Sequence, residues 1–166
     1  MSESLTTIQK YPLEKRKILK KSIGSVIIWI VLFLIILLLS YLPLNQAIYL
    51  NLRLIAIIIL ILILVIEPIY QYLYYKKYFY DVRQDFLVIK KGVVMSREVT
   101  LNYEKIQDVY MDQDLLDRTF SLWDVHVSTA TLMSGSEAHI DGVNHDNALA
   151  IRELILSKIR RGKKNQ

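Results

Sequence analysis

A two-helix membrane hairpin, followed by a mainly-β barrel of about seven antiparallel strands and a capping C-terminal helix, is the fold class this chain predicts. Two apolar runs near the start, alternating apolar and polar positions through the middle, and a change to helical period at the end carry that prediction. The runs Ile23–Leu42 and Ala47–Ile66 are parted only by Pro43-Leu44-Asn45-Gln46. Each is about 20 residues, enough helix to cross a hydrocarbon core of about 30 Å. A cleaved secretory signal is the rival reading of the first run. It fails on length, on the lack of a small-x-small site, and on the second span that follows at once. A soluble domain this small has no means of covering two helices that are apolar on every side.

Basic residues set the expected orientation. Lys10, Lys15, Arg16, Lys17, Lys20 and Lys21 precede the first span, and Lys76, Lys77 and Arg83 follow the second, whereas Arg53 stands alone near the connecting loop. The positive-inside rule therefore expects the chain in a membrane with both termini in the cytoplasm. Arg53 and Glu67 read as terminal anchors of the second helix rather than as an ion pathway. Tyr70, Tyr72, Tyr74, Tyr75, Tyr78 and Tyr80, mixed with Lys76 and Lys77, read as an interfacial belt. Lys20, Lys21, Arg53, Tyr72, Tyr75, Lys76 and Lys77 are the expected membrane-interface residues.

Composition leaves room for one modest domain after the hairpin. The chain divides into a basic N-terminal segment (1–21), the hairpin (22–75), the domain (76–160) and a basic tail (161–166). No cysteine is present, which removes disulfides and thiolate metal sites. The net charge of +5 is unevenly spread: residues 1–21 hold six basic and two acidic groups, and residues 157–166 hold five basic and none acidic. Both ends are expected to lie against anionic headgroups of the bilayer, at roughly 1 kcal/mol per basic residue. The domain between them is mildly acidic, so no nucleic-acid partner is expected.

Alternation marks the strands. Val93, Met95, Val99 and Leu101 alternate with Ser96, Glu98, Thr100 and Asn102, and Trp123, Val125 and Val127 alternate with Asp124, His126 and Ser128. Turns are expected at Gln84-Asp85, at Lys91-Gly92 and at Met133-Ser134-Gly135-Ser136. Trp123, in phase with Val125 and Val127, reads as a core anchor. Asp112 to Phe120 breaks the alternation and reads as a helical turn. After Gly142, Ala148, Ile151, Leu154 or Ile155 and Ile159 share one helical face, with Asn144 as N-cap.

The succession Tyr78-Phe79-Tyr80-Asp81-Val82, Phe86-Leu87-Val88-Ile89 then Gly92, Ile106-Gln107-Asp108-Val109, Asp114 to Phe120 and Asp124 to Ala130 resembles the bacterial pleckstrin-homology domain type 2, and especially its small two-span membrane members. Ser121 and Thr131 stand where that family tends to have glycine. The resemblance implies a pleckstrin-homology-like barrel of two orthogonal sheets with a helical cap. It also implies a non-catalytic module that partners a longer membrane protein carrying several copies of the same domain, in defence of the envelope. The alternative from another class is a subunit or sensor of a transport or lipid-handling system.

Specific chemistry is sparsely encoded. Phosphoinositide binding is not expected, because Arg83-Gln84-Asp85 offers one base and one acid where several basic donors are needed. If the last hairpin turns about Ser134-Gly135, His126 and Asp141 become diagonal neighbours, two ligands where a metal needs three or four. No nucleophile-elbow or phosphate-cradling pattern occurs, so no enzyme activity and no cofactor are expected. The partner surface is expected on the segment Asp108 to Phe120, where Asp112, Asp114, Asp117 and Arg118 form a charged rim beside Leu115, Leu116 and Phe120.

Overall fold

A computed structural model describes residues 5–39, 46–129 and 138–164. Its elements run α1 (Thr7–Lys10), α2 (Arg16–Leu39), α3 (Gln46–Lys77), β1 (Phe79–Val82), β2 (Phe86–Lys91), β3 (Arg97–Asn102), a 3-10 turn (Tyr103–Lys105), β4 (Ile106–Asp112), α4 (Leu115–Phe120), β5 (Trp123–Thr129), β6 (His139–Val143) and α5 (His145–Lys164). Two compact units result: Ile18–Leu73, and Met1–Lys17 together with Tyr74–Gln166.

In the first unit α2 and α3 are long and apolar enough to cross a membrane. Their outer faces stay uncovered: Ile28, Leu34, Ile58 and Leu62 are all more than half exposed. Lipid is the solvent such surfaces fit. Pro68 lies within α3, tolerable where neighbouring groups re-satisfy the freed backbone carbonyl. One turn later Gln71 donates to the Glu67 carboxylate at 2.8 Å. Arg53 lines the groove between the helices together with Trp29, Phe33, Ile59 and Ile63.

The second unit holds two antiparallel three-stranded sheets, β1-β2-β3 and β4-β5-β6. Six strands therefore stand among the described residues, not the expected seven. Part of the difference lies at Val93 to Met95, which the alternation assigned to a strand. Gly92 has φ +115°, and a Cβ there would meet the Met95 carbonyl oxygen at 1.9 Å. The chain thus turns at a position only glycine can occupy, and the strand begins at Arg97. The Met133–Ser136 turn and Thr131 lie outside the described residues. A hairpin turning symmetrically about Ser134-Gly135 would set Ala130 opposite His139; instead, β5 pairs with β6 through Val125↔Ile140 and His126↔His139. That register puts His126 directly opposite His139.

The core gathers Tyr80, Leu87, Ile89, Val125, Val127 and Ile140 from the sheets with Ala148, Ile151 and Ile155 from α5, all fully buried. The helical face expected from the sequence is the face that packs. Asn144 caps it, its Oδ1 accepting the Asn147 N–H at 2.8 Å. Trp123 is only half-buried, at the edge of this core and edge-on to His145 with ring centroids 5.0 Å apart. Its neighbour Leu122 is fully buried, and the β5–β6 register shifts between Trp123 and Val125.

The N-terminal segment is the largest departure from expectation. It packs as part of the domain. Thr7, at the start of α1, fastens it to β1: its N–H and hydroxyl both donate to Asp81 Oδ1 at 2.9 Å, and its Oγ1 accepts the Val82 N–H at 2.9 Å. Tyr80 donates to the Tyr11 carbonyl and Tyr75 to the Leu13 carbonyl. Leu13 enters the core. The Glu14 N–H donates to the Gly142 carbonyl at 2.9 Å, and Asn144 donates to the Glu14 carboxylate.

Lys17, expected at the headgroups, is 2% exposed; its Nζ donates to the Asp141 carbonyl at 2.7 Å and stands 3.5 Å from the Asp141 carboxylate. The same ammonium sits 4.0 Å from the centre of the Tyr78 ring, a cation–π contact.

Candidate functional site

The segment from Asp108 to Phe120 is built by the end of β4 and by α4. Asp114 caps α4, its Oδ1 accepting the Asp117 N–H at 2.6 Å, while Asp117 Oδ2 accepts the Asp114 N–H at 3.2 Å. This reciprocal capping box satisfies two orphan donors of a one-and-a-half-turn helix. Asp117 is 1% exposed. It therefore holds the loop from inside and contributes nothing to the surface rim expected of it. Ser121 closes α4 in the left-handed region at φ 52°, which explains why glycine suits this position.

Asp112, Arg118 and Leu115 remain on the surface. Leu115 is 82% exposed, an apolar side chain fixed on a capped helix with nothing over it. Leu116 and Phe120 are half-buried beneath. Beside α4 runs a polar groove of about 550 Å³ whose walls include Arg16, Arg118, Trp123, Asn144, His145 and Asp146. Gln113, also in its wall, donates to the Leu122 carbonyl at 2.6 Å and fixes the approach to α4. The sequence reading found Arg118 but missed Arg16, Trp123 and His145 as its neighbours. No periodic signal links a residue before the first span to the start of α5.

Sheet β4-β5-β6 also carries a column of rings. Tyr110 and His126 stack at 5.0 Å with planes 7° apart, and His126 and His139 at 5.3 Å and 15°. His126 Nε2 lies 3.0 Å from Asp112 Oδ1, and the ligand atoms of Asp112, Asp124 and His126 fall within 4.8 Å of one another. Three groups thus converge where the sequence register offered two. They are already engaged within the protein, since Asp124 Oδ1 also accepts the Gly142 N–H at 2.8 Å.

The expected interfacial residues divide sharply. Tyr72, Lys76 and Lys77 are exposed, and Lys21 is half-buried. Lys20 is 5% exposed. Tyr74 and Tyr75 pack against the core cluster, while Tyr78 and Tyr80 lie inside it. The tyrosine run is thus largely a fold element: alternate rings of β1 point inward and those at the end of α3 meet the N-terminal segment.

Comparison with known families decides the classification: the bacterial PH domain family matches residues 5–159. The chain belongs to that family. The match begins before the first span, in agreement with the N-terminal segment being part of the bacterial PH domain unit. No curated protein and no solved structure matches the chain. A bacterial PH domain with two helices long and apolar enough to span a membrane is compatible with a membrane-associated module.

Proposed function

We propose that this protein is a non-catalytic interaction module, anchored with both termini in the cytoplasm, whose domain holds another membrane protein at the inner membrane face. The resemblance makes that partner a longer chain carrying several copies of the same domain, in defence of the envelope. The observation that carries the docking surface is Leu115, 82% exposed on a helix whose capping box leaves it no freedom to fold back. An apolar anchor beside a groove rimmed by Arg118, Arg16 and Asp146 has the composition of an interface centre and its rim. The groove's mixed charge suits a partner that presents both signs.

Affinity purification from gently solubilised membranes tests this reading. The double variant Leu115→Asn, Arg118→Gln touches exposed side chains only, so its melting should stay within about 0.5 kcal/mol of the parent. Loss of the co-purified membrane protein with unchanged melting supports the docking surface. Full recovery of the partner removes α4 from consideration.

A further inference from the structure

The β2–β3 hairpin ends in a feature that neither the core nor the α4 surface uses. Val94 and Met95 at its tip are 88% and 87% exposed, the most exposed large apolar side chains among the described residues. Hairpin tips facing water ordinarily carry polar turn residues. This one carries Val93, Val94 and Met95 in succession, in a shape imposed by Gly92.

Charge accompanies the apolar tip. Lys91 and Arg97 are directly opposite one another across the hairpin, with Lys90 and Glu98 as the next pair. Both cations border the apolar tip, so an anionic surface in front of it would meet positive charge on either strand. A third cation stands at the same place: Lys77 Nζ donates to the Val93 carbonyl at 3.0 Å. Lys77 is the last residue of α3, the helix that carries the second candidate span, Leu50–Lys77. The tip is therefore tied to the residue at which that helix ends.

An exposed apolar pair bordered by three cations, fastened to the end of a spanning helix, matches the two-part chemistry of a bilayer interface: acyl boundary for the apolar groups, anionic headgroups for the cations. We propose that the Val94–Met95 tip is a lipid-insertion wedge that enters the leaflet on the domain's side, with Lys77, Lys91 and Arg97 at anionic phosphates. This inference rests on the membrane-anchored reading above and gives the domain a second attachment to the bilayer besides its helices.

The absence of cysteine from the chain makes the test direct. Single cysteines replacing Met95 at the tip, Ile59 within α3 and exposed Glu153 on α5 receive an environment-sensitive fluorophore. The full chain is then reconstituted into vesicles of phosphatidylcholine and phosphatidylglycerol, and quenching is measured with nitroxide-bearing lipids and with aqueous iodide. The label at position 95 should be quenched by the nitroxide lipids and shielded from iodide, as at position 59, while the label at 153 behaves in the opposite way. Lys91→Gln with Arg97→Gln, or vesicles of phosphatidylcholine alone, should return the position-95 label toward iodide.

A position-95 label open to iodide while position 59 is buried in lipid overturns the wedge and leaves the anchor standing. Iodide access at position 59 overturns the anchor and the wedge with it. Shielding at position 95 without nitroxide quenching overturns lipid insertion in favour of a contact with protein, a second copy included. Insertion that is unchanged by the glutamine variants and by neutral vesicles overturns the role given to the cations.

Discussion

Lys17 shows how far a residue's role can depart from its charge class. Six cations before an apolar run read as headgroup ligands, yet this one is enclosed between Asp141 and the Tyr78 ring. Removing one partner of a buried pair leaves an uncompensated charge and costs about 3–5 kcal/mol. Lys17→Met, which keeps the stem, should lower the melting temperature of the full chain in detergent strongly, and adding Asp141→Asn should restore a large part of it. The buried tyrosines predict a pH response. Burial first, and the neighbouring Asp141 carboxylate next, push the Tyr78 hydroxyl well above its ordinary value; burial likewise raises Tyr80, and Tyr103 near Asp81 and Asp85. The unfolded chain ionises these groups near pH 10 while the fold keeps them protonated, so their contribution is intact below about pH 10 and is lost as pH rises beyond it. Tyr103→Phe should flatten the alkaline fall in melting temperature, although it forfeits the 2.7 Å hydrogen bond to the Arg83 carbonyl. An unaltered alkaline limb would exclude Tyr103 as a contributor.

Short elements carry testable energetics because few interactions define them. In α4 the capping box is the principal restraint, and Asp114→Ala should cost about 1 kcal/mol in thermal unfolding. Asp117→Ala should cost more, since Asp117 is buried and Asp114 would lose its return bond. Neutralising all the aspartates of this segment is for that reason a test of folding, not of docking. Ser121→Gly should act in the opposite direction and stabilise by about 1 kcal/mol, because a left-handed φ of 52° strains a residue with a Cβ. The segment before the first span is likewise an element of the domain. Thr7→Val keeps shape but removes the hydroxyl that bridges Asp81 and the Val82 N–H, and should destabilise by about 1–3 kcal/mol.

At the level of the chain, the proposed function assigns anchoring to the Ile18–Leu73 unit and recognition to the other. The basic asymmetry predicts that a cysteine at Asn45, between the spans in sequence, reacts with an impermeant thiol reagent in intact cells, whereas one at Glu153 reacts only after the membrane is opened. Labelling of position 153 in intact cells would reverse the topology and move the α4 surface and the hairpin tip to the outer face.

Amphipathic period and unbroken apolarity are local properties, and everything that rests on them was legible in the residues: the two long apolar helices, the β-rich middle, the closing helix with its Asn144 cap, and the family. Turn chemistry was legible where one residue dictates the backbone, as at Gly92. Contacts between residues far apart in the chain obey no such period. Lys17 with Asp141, Thr7 with Asp81, and Arg16 with Arg118 along one groove arise because the N-terminal segment packs on β1, β6 and the start of α5. The same reason hid the burial of Asp117 and the pairing of His126 with His139, for a one-residue difference of phase exchanges a strand's faces and a register slip changes every partner. Composition could count the charges of this chain, but only tertiary packing decided which of them water, lipid or a partner can reach.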